Sequence, residues 1–174
     1  MKTFIFKSFS LKVFLAFVAV IVSIQALANN SDTSKLYNPS ANAEKDIAAC
    51  VKLAKQQNKH VLIQAGGNWC VWCLRFNKFM HDDKEIDSIV KKNFIVYHLN
   101  YSKENNNDKI FAKYQFPQRF GFPVFIILDG NGNKIHTQNS AYLEEGKGYS
   151  KRKVTDFLND WTPEALNPNL YKKQ

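Results

Sequence analysis

The order of apolar and polar residues along the chain predicts alternating helices and strands. An amphipathic helix is indicated where four apolar residues recur at the i, i+3, i+4, i+7 spacing: Ile47, Cys50, Val51 and Ala54. Three short runs rich in β-branched and aromatic residues predict buried strands: residues 60–65, 94–99 and 124–128. Helical and strand patterns therefore alternate, as they do in α/β proteins.

Further helices and a hairpin complete this pattern. One predicted helix holds Cys70 in its first turn, and the others cover about residues 83–92, 108–114 and 154–161. The sequence D-G-N-G at 129–132 predicts a hairpin turn, because Gly and Asn tolerate positive φ, with a return strand over about 134–137. A glycine-rich loop precedes the last helix, which Pro163 ends.

These elements predict a single α/β domain with a central mixed β-sheet flanked by helices. The domain is expected over residues 43–162. Residues 29–42 are polar and rich in Ser and Asn, so we expect a flexible lead-in there. Residues 163–174 are expected to form an irregular C-terminal tail.

Residues 1–28 have the three parts of a secretory signal peptide. Three lysines and no acidic residue precede an apolar run over residues 13–24, which ends at Ala26-Leu27-Ala28, where small residues suit a signal peptidase. Lys12 limits the apolar stretch to about 15 residues, which is shorter than the ~20 that a membrane-spanning helix needs and disfavours the alternative of an uncleaved anchor. We therefore expect export to the periplasm and a mature chain that begins at Asn29.

Composition and charge narrow the possible functions. The 174 residues are 45% hydrophobic and 22% charged, which is ordinary globular composition and excludes collagen-like and low-complexity chains. The net charge of +9 falls by three when the lysines of the signal peptide are removed. The remaining basic residues are scattered and form no stripe interleaved with aromatic residues, so nucleic acid is not an expected partner.

The candidate chemistry lies at Cys70 and Cys73. Two cysteines separated by two residues either bind a metal or cycle between dithiol and disulfide, and a purely structural disulfide is a third interpretation. A structural zinc site usually needs a second pair of ligands, which Cys50 and the four scattered histidines do not supply at similar spacing. The redox interpretation is favoured because a helix N-terminus lowers the pKa of the first cysteine, with Cys73 deeper in the helix as the resolving thiol.

Two motifs carry a resemblance to a known family. W-C-V-W-C at 69–73 follows a predicted strand, and G-F-P-V at 121–124 begins about fifty residues later. Together with the order of elements, they resemble the thioredoxin superfamily over about residues 43–161. W-C-V-x-C and the strand with its D-G-x-G hairpin more narrowly resemble secreted bacterial thioredoxin-like proteins and the periplasmic C-terminal domain of the thiol reductase DsbD. The resemblance implies a thioredoxin-like fold.

The resemblance also implies roles for individual residues. Cys70 would attack a substrate disulfide and form a mixed disulfide, which Cys73 would resolve. Pro123 matches the family's cis-proline, which leaves the backbone of Phe122 free to pair with an extended substrate. An apolar platform around the thiol would come from two tryptophans, Trp69 and Trp72, although core packing is an alternative for one of them.

Two departures from the family pattern affect the expected chemistry. Thioredoxins carry a buried Asp six residues before the first cysteine, but Gln64 stands there and cannot titrate. Water or another acid, such as Glu144 or Glu145, would have to serve instead. The intervening pair Val71-Trp72 replaces Gly-Pro, and such residues help to set the reduction potential.

The remaining candidates are single residues. Cys50 falls on the apolar stripe of the first helix and is expected to be an inert buried thiol, with a regulatory or intermolecular disulfide as alternatives. His81 is expected at the C-terminal end of the active-site helix and His98 in a strand, and neither is interpreted as a metal ligand.

The sequence as a whole predicts a periplasmic thiol–disulfide oxidoreductase that chiefly reduces protein disulfides. No bound cofactor or metal is implied, because the cysteine pair itself carries the two electrons. The expected partners are protein disulfide substrates and a membrane or periplasmic thiol protein that re-reduces the pair, and we expect a monomer. The alternatives are a disulfide oxidase or isomerase, and a non-catalytic thioredoxin-fold binding or chaperone module whose cysteines hold a metal.

Overall fold

A computed structural model gives the structure of the protein and describes residues 35–172. The predicted signal peptide, residues 29–34 of the predicted lead-in and the last two residues of the tail lie outside the described residues. Within residues 35–172 the elements follow the predicted order. The predicted fold class, a mixed sheet flanked by helices, is confirmed.

The described residues form five α-helices and six β-strands. The helices are α1 (Ala43–Gln57), α2 (Val71–Asp82), α3 (Lys84–Asn93), α4 (Asp108–Lys113) and α5 (Lys151–Asp160). The strands are β1 (His60–Gly66), β2 (Phe94–Asn100), β3 (Val124–Leu128), β4 (Lys134–Asn139), β5 (Glu144–Glu145) and β6 (Gly148–Tyr149). Short 3₁₀ helices cover Pro117–Phe120, Ser140–Leu143 and Pro168–Tyr171.

Four strands form the central sheet in the order β2-β1-β3-β4. β1 and β2 are parallel, whereas β3 is antiparallel to both of its neighbours, β1 and β4. Every residue of the two inner strands β1 and β3 is buried. Burial on both faces explains why these strands are continuous apolar runs in the sequence rather than alternating ones.

Helices cover both faces of the sheet. Successive strand residues point to opposite faces, so Val61, Ile63 and Ala65 pack under α1 and α4, whereas Leu62 packs under α2, α3 and α5. Gln64 has the parity of Leu62 and therefore points toward α2. The strand pattern thus places one polar side chain inside the face that carries the cysteines.

Local side-chain hydrogen bonds define the start of α1 and the turn of the β3–β4 hairpin. The carboxamide oxygen of Asn42 accepts from the backbone N–H of Lys45 at 3.0 Å and caps α1. In the hairpin, Asp129 Oδ1 accepts from the N–H groups of Asn131 and Asn133. Gly132 takes φ +84° there, a conformation that glycine adopts without steric cost. The turn forms where the sequence predicts it.

Two expectations need correction within the described residues. The lead-in is not flexible at residues 35–42, because Tyr37 is fully buried and its backbone is hydrogen-bonded to Asn68. The loop before the last helix contains a short hairpin, β5–β6. Leu36 and Tyr37 are an isolated apolar pair in the polar lead-in and form no periodic pattern. The burial of Tyr37 therefore depends on tertiary packing that local sequence does not indicate.

Within residues 35–172, we find no helix whose length and apolar character would suit it to spanning a membrane.

We expect Gly66→Ala to lower the free energy of unfolding by about 1–3 kcal/mol, as overpacking of a core does. A Cβ at Gly66 would overlap Cys73 Sγ and lie 2.9 Å from Tyr37 Oη, so the neighbours would have to move. Gly148→Ala is the matched control, because no neighbouring heavy atom lies within 4 Å of a Cβ built there. Urea denaturation followed by tryptophan fluorescence measures both, and equal stabilities would contradict the packing described.

Candidate functional site

Cys70 and Cys73 form a disulfide at the N-terminus of α2. Their Cα atoms are 5.2 Å apart. Cys70 is the N-cap residue rather than a member of the first turn, and its Sγ accepts a hydrogen bond from the backbone N–H of Cys73 at 3.2 Å. In the reduced protein, this N–H and the helix dipole would stabilise a thiolate on Cys70.

The two cysteines differ in their access to solvent. Cys70 is 5% exposed and Cys73 is 0% exposed. The first turn of α2 contains no acidic residue, so no negative charge in that turn opposes a thiolate on Cys70. Cys70 is therefore slightly exposed to solvent, whereas Cys73 is completely buried.

An aromatic group, which we call the aromatic platform, lies beside the disulfide and consists of the exposed Trp69 and the half-buried Tyr101 and Phe122. Trp69 is 59% exposed, and its Nε1 donates to the carbonyl of Tyr101 at 2.7 Å. The Phe122 ring packs edge-on against Trp69 at 5.6 Å and lies tilted against Tyr101 at 4.8 Å. Phe122 also contacts the cluster formed by the two cysteines and Tyr37.

Two further features border the platform. The peptide bond between Phe122 and Pro123 is cis, immediately before β3. A cleft of about 350 Å³ lies next to Trp69 and is lined by residues of the loop after β2: Tyr101, Ser102, Lys103 and Asn106. A larger cleft, of about 760 Å³, lies away from the disulfide between the end of α1 and the C-terminal tail.

Trp72 is not part of the aromatic platform and packs against different residues. It contacts the cysteine cluster, but its ring packs edge-on against Tyr149 at 5.6 Å, under the guanidinium of Arg75. The Tyr149 hydroxyl donates to the Trp72 carbonyl at 3.1 Å. The two predicted platform tryptophans are therefore separated, with Trp69 at the surface and Trp72 half-buried.

A neutral polar pair lies behind the disulfide. Gln64 is 1% exposed, and its Nε2 donates to the Cys73 carbonyl at 3.0 Å and to the Tyr37 hydroxyl at 2.7 Å. Sequence reasoning considered Glu144 and Glu145 as substitutes for the missing acid. Within residues 35–172, neither glutamate hydrogen-bonds to the cysteines or Gln64, and Glu144 instead accepts from Ser140.

Tyr37, like Tyr101 of the aromatic platform, is a site residue that the sequence analysis did not predict. The one signal available was its position in Leu36-Tyr37, the only pair of large apolar residues in the polar segment 29–42. The segment contains no helical or strand period, so that pair alone did not indicate burial.

The other candidate residues lie outside the cysteine pair's contacts. Cys50 is a free, half-buried thiol on α1, and its pKa is raised by burial and by Asp46. His81 contacts Asp87 at 3.3 Å. Burial, with a smaller effect of His81, lowers the pKa of His98 to about 4. Within the described part of the chain, no three His, Cys, Asp or Glu side chains cluster as metal ligands.

Comparisons with known proteins agree with this geometry. Residues 42–130, just over half of the chain, match the family model described as Thioredoxin-like. The disulphide isomerase from Xylella fastidiosa Temecula1 is structurally similar with a TM-score of 0.63 and 21% identity, over 71% of this chain and 94% of that chain. At this identity the likeness shows the fold. The search of curated proteins found no match.

Two other solved structures are more distantly similar. The oxidised C-terminal domain of DsbD from Neisseria meningitidis has a TM-score of 0.46 and 15% identity, over 68% of this chain and 92% of that chain. A thioredoxin from Thermus thermophilus has a TM-score of 0.48 and 16% identity, over 65% and 81% of the respective chains. With its matching family model and its Cys70–Cys73 disulfide, the chain belongs to the thioredoxin-like family and has a thioredoxin-like oxidoreductase fold with a Cys-x-x-Cys pair.

Proposed function

We propose that the protein is a thiol–disulfide oxidoreductase that chiefly reduces disulfides in other proteins. The observation that carries the proposal is the Cys70–Cys73 disulfide at a helix N-terminus, with one cysteine near the surface and its partner buried. Such a pair can exchange with a substrate disulfide through the outer sulfur and then close on itself.

The first step is attack by the Cys70 thiolate of the reduced protein on one sulfur of the substrate disulfide. A bond forms between Cys70 and that sulfur, the substrate disulfide breaks, and the departing substrate thiolate takes a proton from solvent. The Cys73 N–H that lies 3.2 Å from Cys70 Sγ is placed to stabilise the attacking thiolate.

The second step is attack by Cys73 on Cys70. The Cys73 thiol loses its proton, its sulfur bonds to Cys70 Sγ, and the bond between Cys70 and the substrate breaks. The second substrate thiolate leaves and is protonated. Two electrons have then passed from the dithiol to the substrate, and the product is the Cys70–Cys73 disulfide present in the structure.

The surface around Cys70 suits an apolar stretch of polypeptide. Trp69, Val71 and Leu74 are 59%, 54% and 40% exposed, and large apolar side chains at this density mark an interaction surface. The Phe122 ring packs against Trp69 on the same side. A protein substrate would place its disulfide at Cys70 and apolar residues along this surface.

The proposal includes a cellular place and a redox partner. The signal-peptide features of residues 1–28 support a periplasmic location. After each turnover the pair is a disulfide, so a membrane or periplasmic thiol protein must return two electrons to it. A monomer suffices for this cycle, because both cysteines come from one chain.

The mature protein is expected to accelerate insulin reduction by dithiothreitol, and Cys70→Ser should reduce the rate to the background of dithiothreitol alone. Cys73→Ser should also abolish turnover, but it should accumulate a mixed disulfide with insulin because nothing resolves it. Cys50→Ser is the matched control and should retain the full rate, since Cys50 is not paired with either cysteine.

Wild-type activity at background level, or an unchanged rate in Cys70→Ser, would contradict the reductase proposal. Either result would favour a binding or chaperone module of the same fold.

Trp69→Ala is expected to raise KM for insulin about tenfold, with kcat changed less than twofold, because the exposed Trp69 side chain is placed to contact substrate, and its own hydrogen bond goes to Tyr101 rather than to a cysteine. Tyr171→Ala is the control, since Tyr171 is an exposed aromatic residue in the tail. Steady-state kinetics over a range of insulin concentrations provide both constants. A fall in kcat at unchanged KM would assign Trp69 to the chemistry instead.

Residues 1–28 fused to an alkaline phosphatase that lacks its own signal are expected to export the enzyme, which becomes active only outside the cytoplasm. In the native chain, mass spectrometry of the periplasmic fraction should find Asn29 as the first residue. A fusion carrying Lys2→Glu, Lys7→Glu and Lys12→Glu should be exported less efficiently. An inactive fusion, or an intact N-terminus in the membrane fraction, would contradict export with cleavage.

A further inference from the structure

The bond between Gln64 and Tyr37 has a defined direction. Gln64 Nε2 donates to the Cys73 carbonyl and to Tyr37 Oη. A carboxamide nitrogen carries two hydrogens and no acceptor, so the phenol oxygen is the acceptor in this bond. The hydroxyl's own hydrogen is therefore free to donate elsewhere.

The Tyr37 hydroxyl shares a small space with the buried sulfur of Cys73. Cys73 Sγ and Tyr37 Oη border the same small space beside Gly66: a Cβ built there would overlap the sulfur and lie 2.9 Å from the oxygen. Tyr37, Cys70 and Cys73 form one buried cluster. Tyr37 and Cys73 are both fully buried, so solvent does not compete for the space between them.

Tyr37 is held in this position by the loop that precedes Cys70. Its N–H donates to Asn68 Oδ1 at 3.1 Å, and its carbonyl accepts from Asn68 Nδ2 at 2.7 Å. Its ring also meets the half-buried His98 ring edge-on at 5.6 Å. Two backbone hydrogen bonds and this ring contact therefore fix where the hydroxyl lies.

We propose that the Tyr37 hydroxyl, oriented by Gln64, donates a hydrogen bond to Cys73 Sγ in the reduced protein and stabilises the Cys73 thiolate that resolves the mixed disulfide. The inference rests on the proposed function and names a group that stabilises the resolving thiolate at a site where the family's buried acid is missing. Tyr37 is thereby a catalytic residue, contributed by the segment before α1.

The proton balance of the resolving step follows. The Cys73 thiol gives up its proton to solvent, its sulfur attacks Cys70, and the departing substrate thiolate takes up a proton from solvent. Tyr37 keeps its own proton throughout, because burial raises the pKa of its hydroxyl above the usual range. A carboxylic acid in this place would titrate, whereas Tyr37 is a donor across the whole working pH range.

The other titratable groups around Tyr37 and Cys73 do not supply a competing charge. His98 on β2 is neutral, since burial lowers its pKa to about 4. Tyr149 on β6 donates its hydroxyl to the Trp72 carbonyl, and burial raises the pKa of that hydroxyl. On α2, Arg75 is placed over Trp72, and His81 contacts Asp87. Glu144, which acts electrostatically on Tyr149, accepts from the Ser140 hydroxyl. Cys70 is covalently bonded to substrate when Cys73 reacts.

The test measures the ionisation of Cys73 directly. In mature protein carrying Cys50→Ala and Cys70→Ser, Cys73 is the only thiol, and the Cβ chemical shift of isotope-labelled Cys73 reports its pKa. Adding Tyr37→Phe should raise that pKa by about one unit, a tenfold weaker ionisation, since a hydrogen bond to a charged group is lost. Tyr114→Phe removes the hydroxyl of a tyrosine buried against the other face of the sheet and should leave the pKa unchanged.

Gln64→Met provides a second variant in case Tyr37→Phe does not fold. It keeps the hydroxyl but removes the amide that orients it, so the pKa of Cys73 should again rise. In single-turnover experiments on the otherwise wild-type protein, Tyr37→Phe should slow the decay of the mixed disulfide about tenfold at neutral pH without slowing its formation.

An unchanged pKa of Cys73 in Tyr37→Phe, or in Gln64→Met if the first variant is unfolded, would overturn the assignment. The titration involves no substrate, so it can support the hydrogen bond even if the wild type fails to reduce insulin. A wild-type protein that fails to reduce insulin would count against the proposed function alone.

Discussion

The packing of the first turn of α2 against the end of β1 is the constraint on which the whole site depends. Gly66 has no side chain, so Cys73 Sγ occupies the space that a Cβ would fill. Gln64, two residues earlier on the same strand, donates to the Cys73 carbonyl. These two contacts bury Cys73 completely, while Cys70 keeps 5% exposure, and the Tyr37 hydroxyl lies in the same space as the buried sulfur.

Charge at this site is stabilised by dipoles rather than by ions. The first turn of α2 has no acidic residue, and Cys70 receives the N–H of Cys73. Behind the disulfide, the polar groups are an amide, a phenol and a neutral imidazole at Gln64, Tyr37 and His98. Thiolates on either cysteine would therefore be balanced by oriented hydrogen-bond donors, which do not change their protonation in the neutral pH range.

Local sequence was sufficient to predict the α-helices, the four strands of the central sheet and the cysteine pair, because these are encoded by short-range patterns. The runs that became β1 and β3 are apolar almost throughout since both of their faces are buried. Tyr37 could not be predicted in the same way, because an irregular segment is held by distant residues such as Asn68. Likewise, no local pattern distinguishes Trp69 from Trp72, although one is exposed and the other packs on Tyr149.

The reduction potential of the Cys70–Cys73 pair tests the central claim most directly. It can be measured by equilibrating the mature protein with defined ratios of reduced and oxidised dithiothreitol or glutathione and quantifying the free thiols. A protein-disulfide reductase should have a potential near that of thioredoxin, about −270 mV. A potential near that of DsbA, about −120 mV, would mean that the pair acts as an oxidant and would contradict a reductase role.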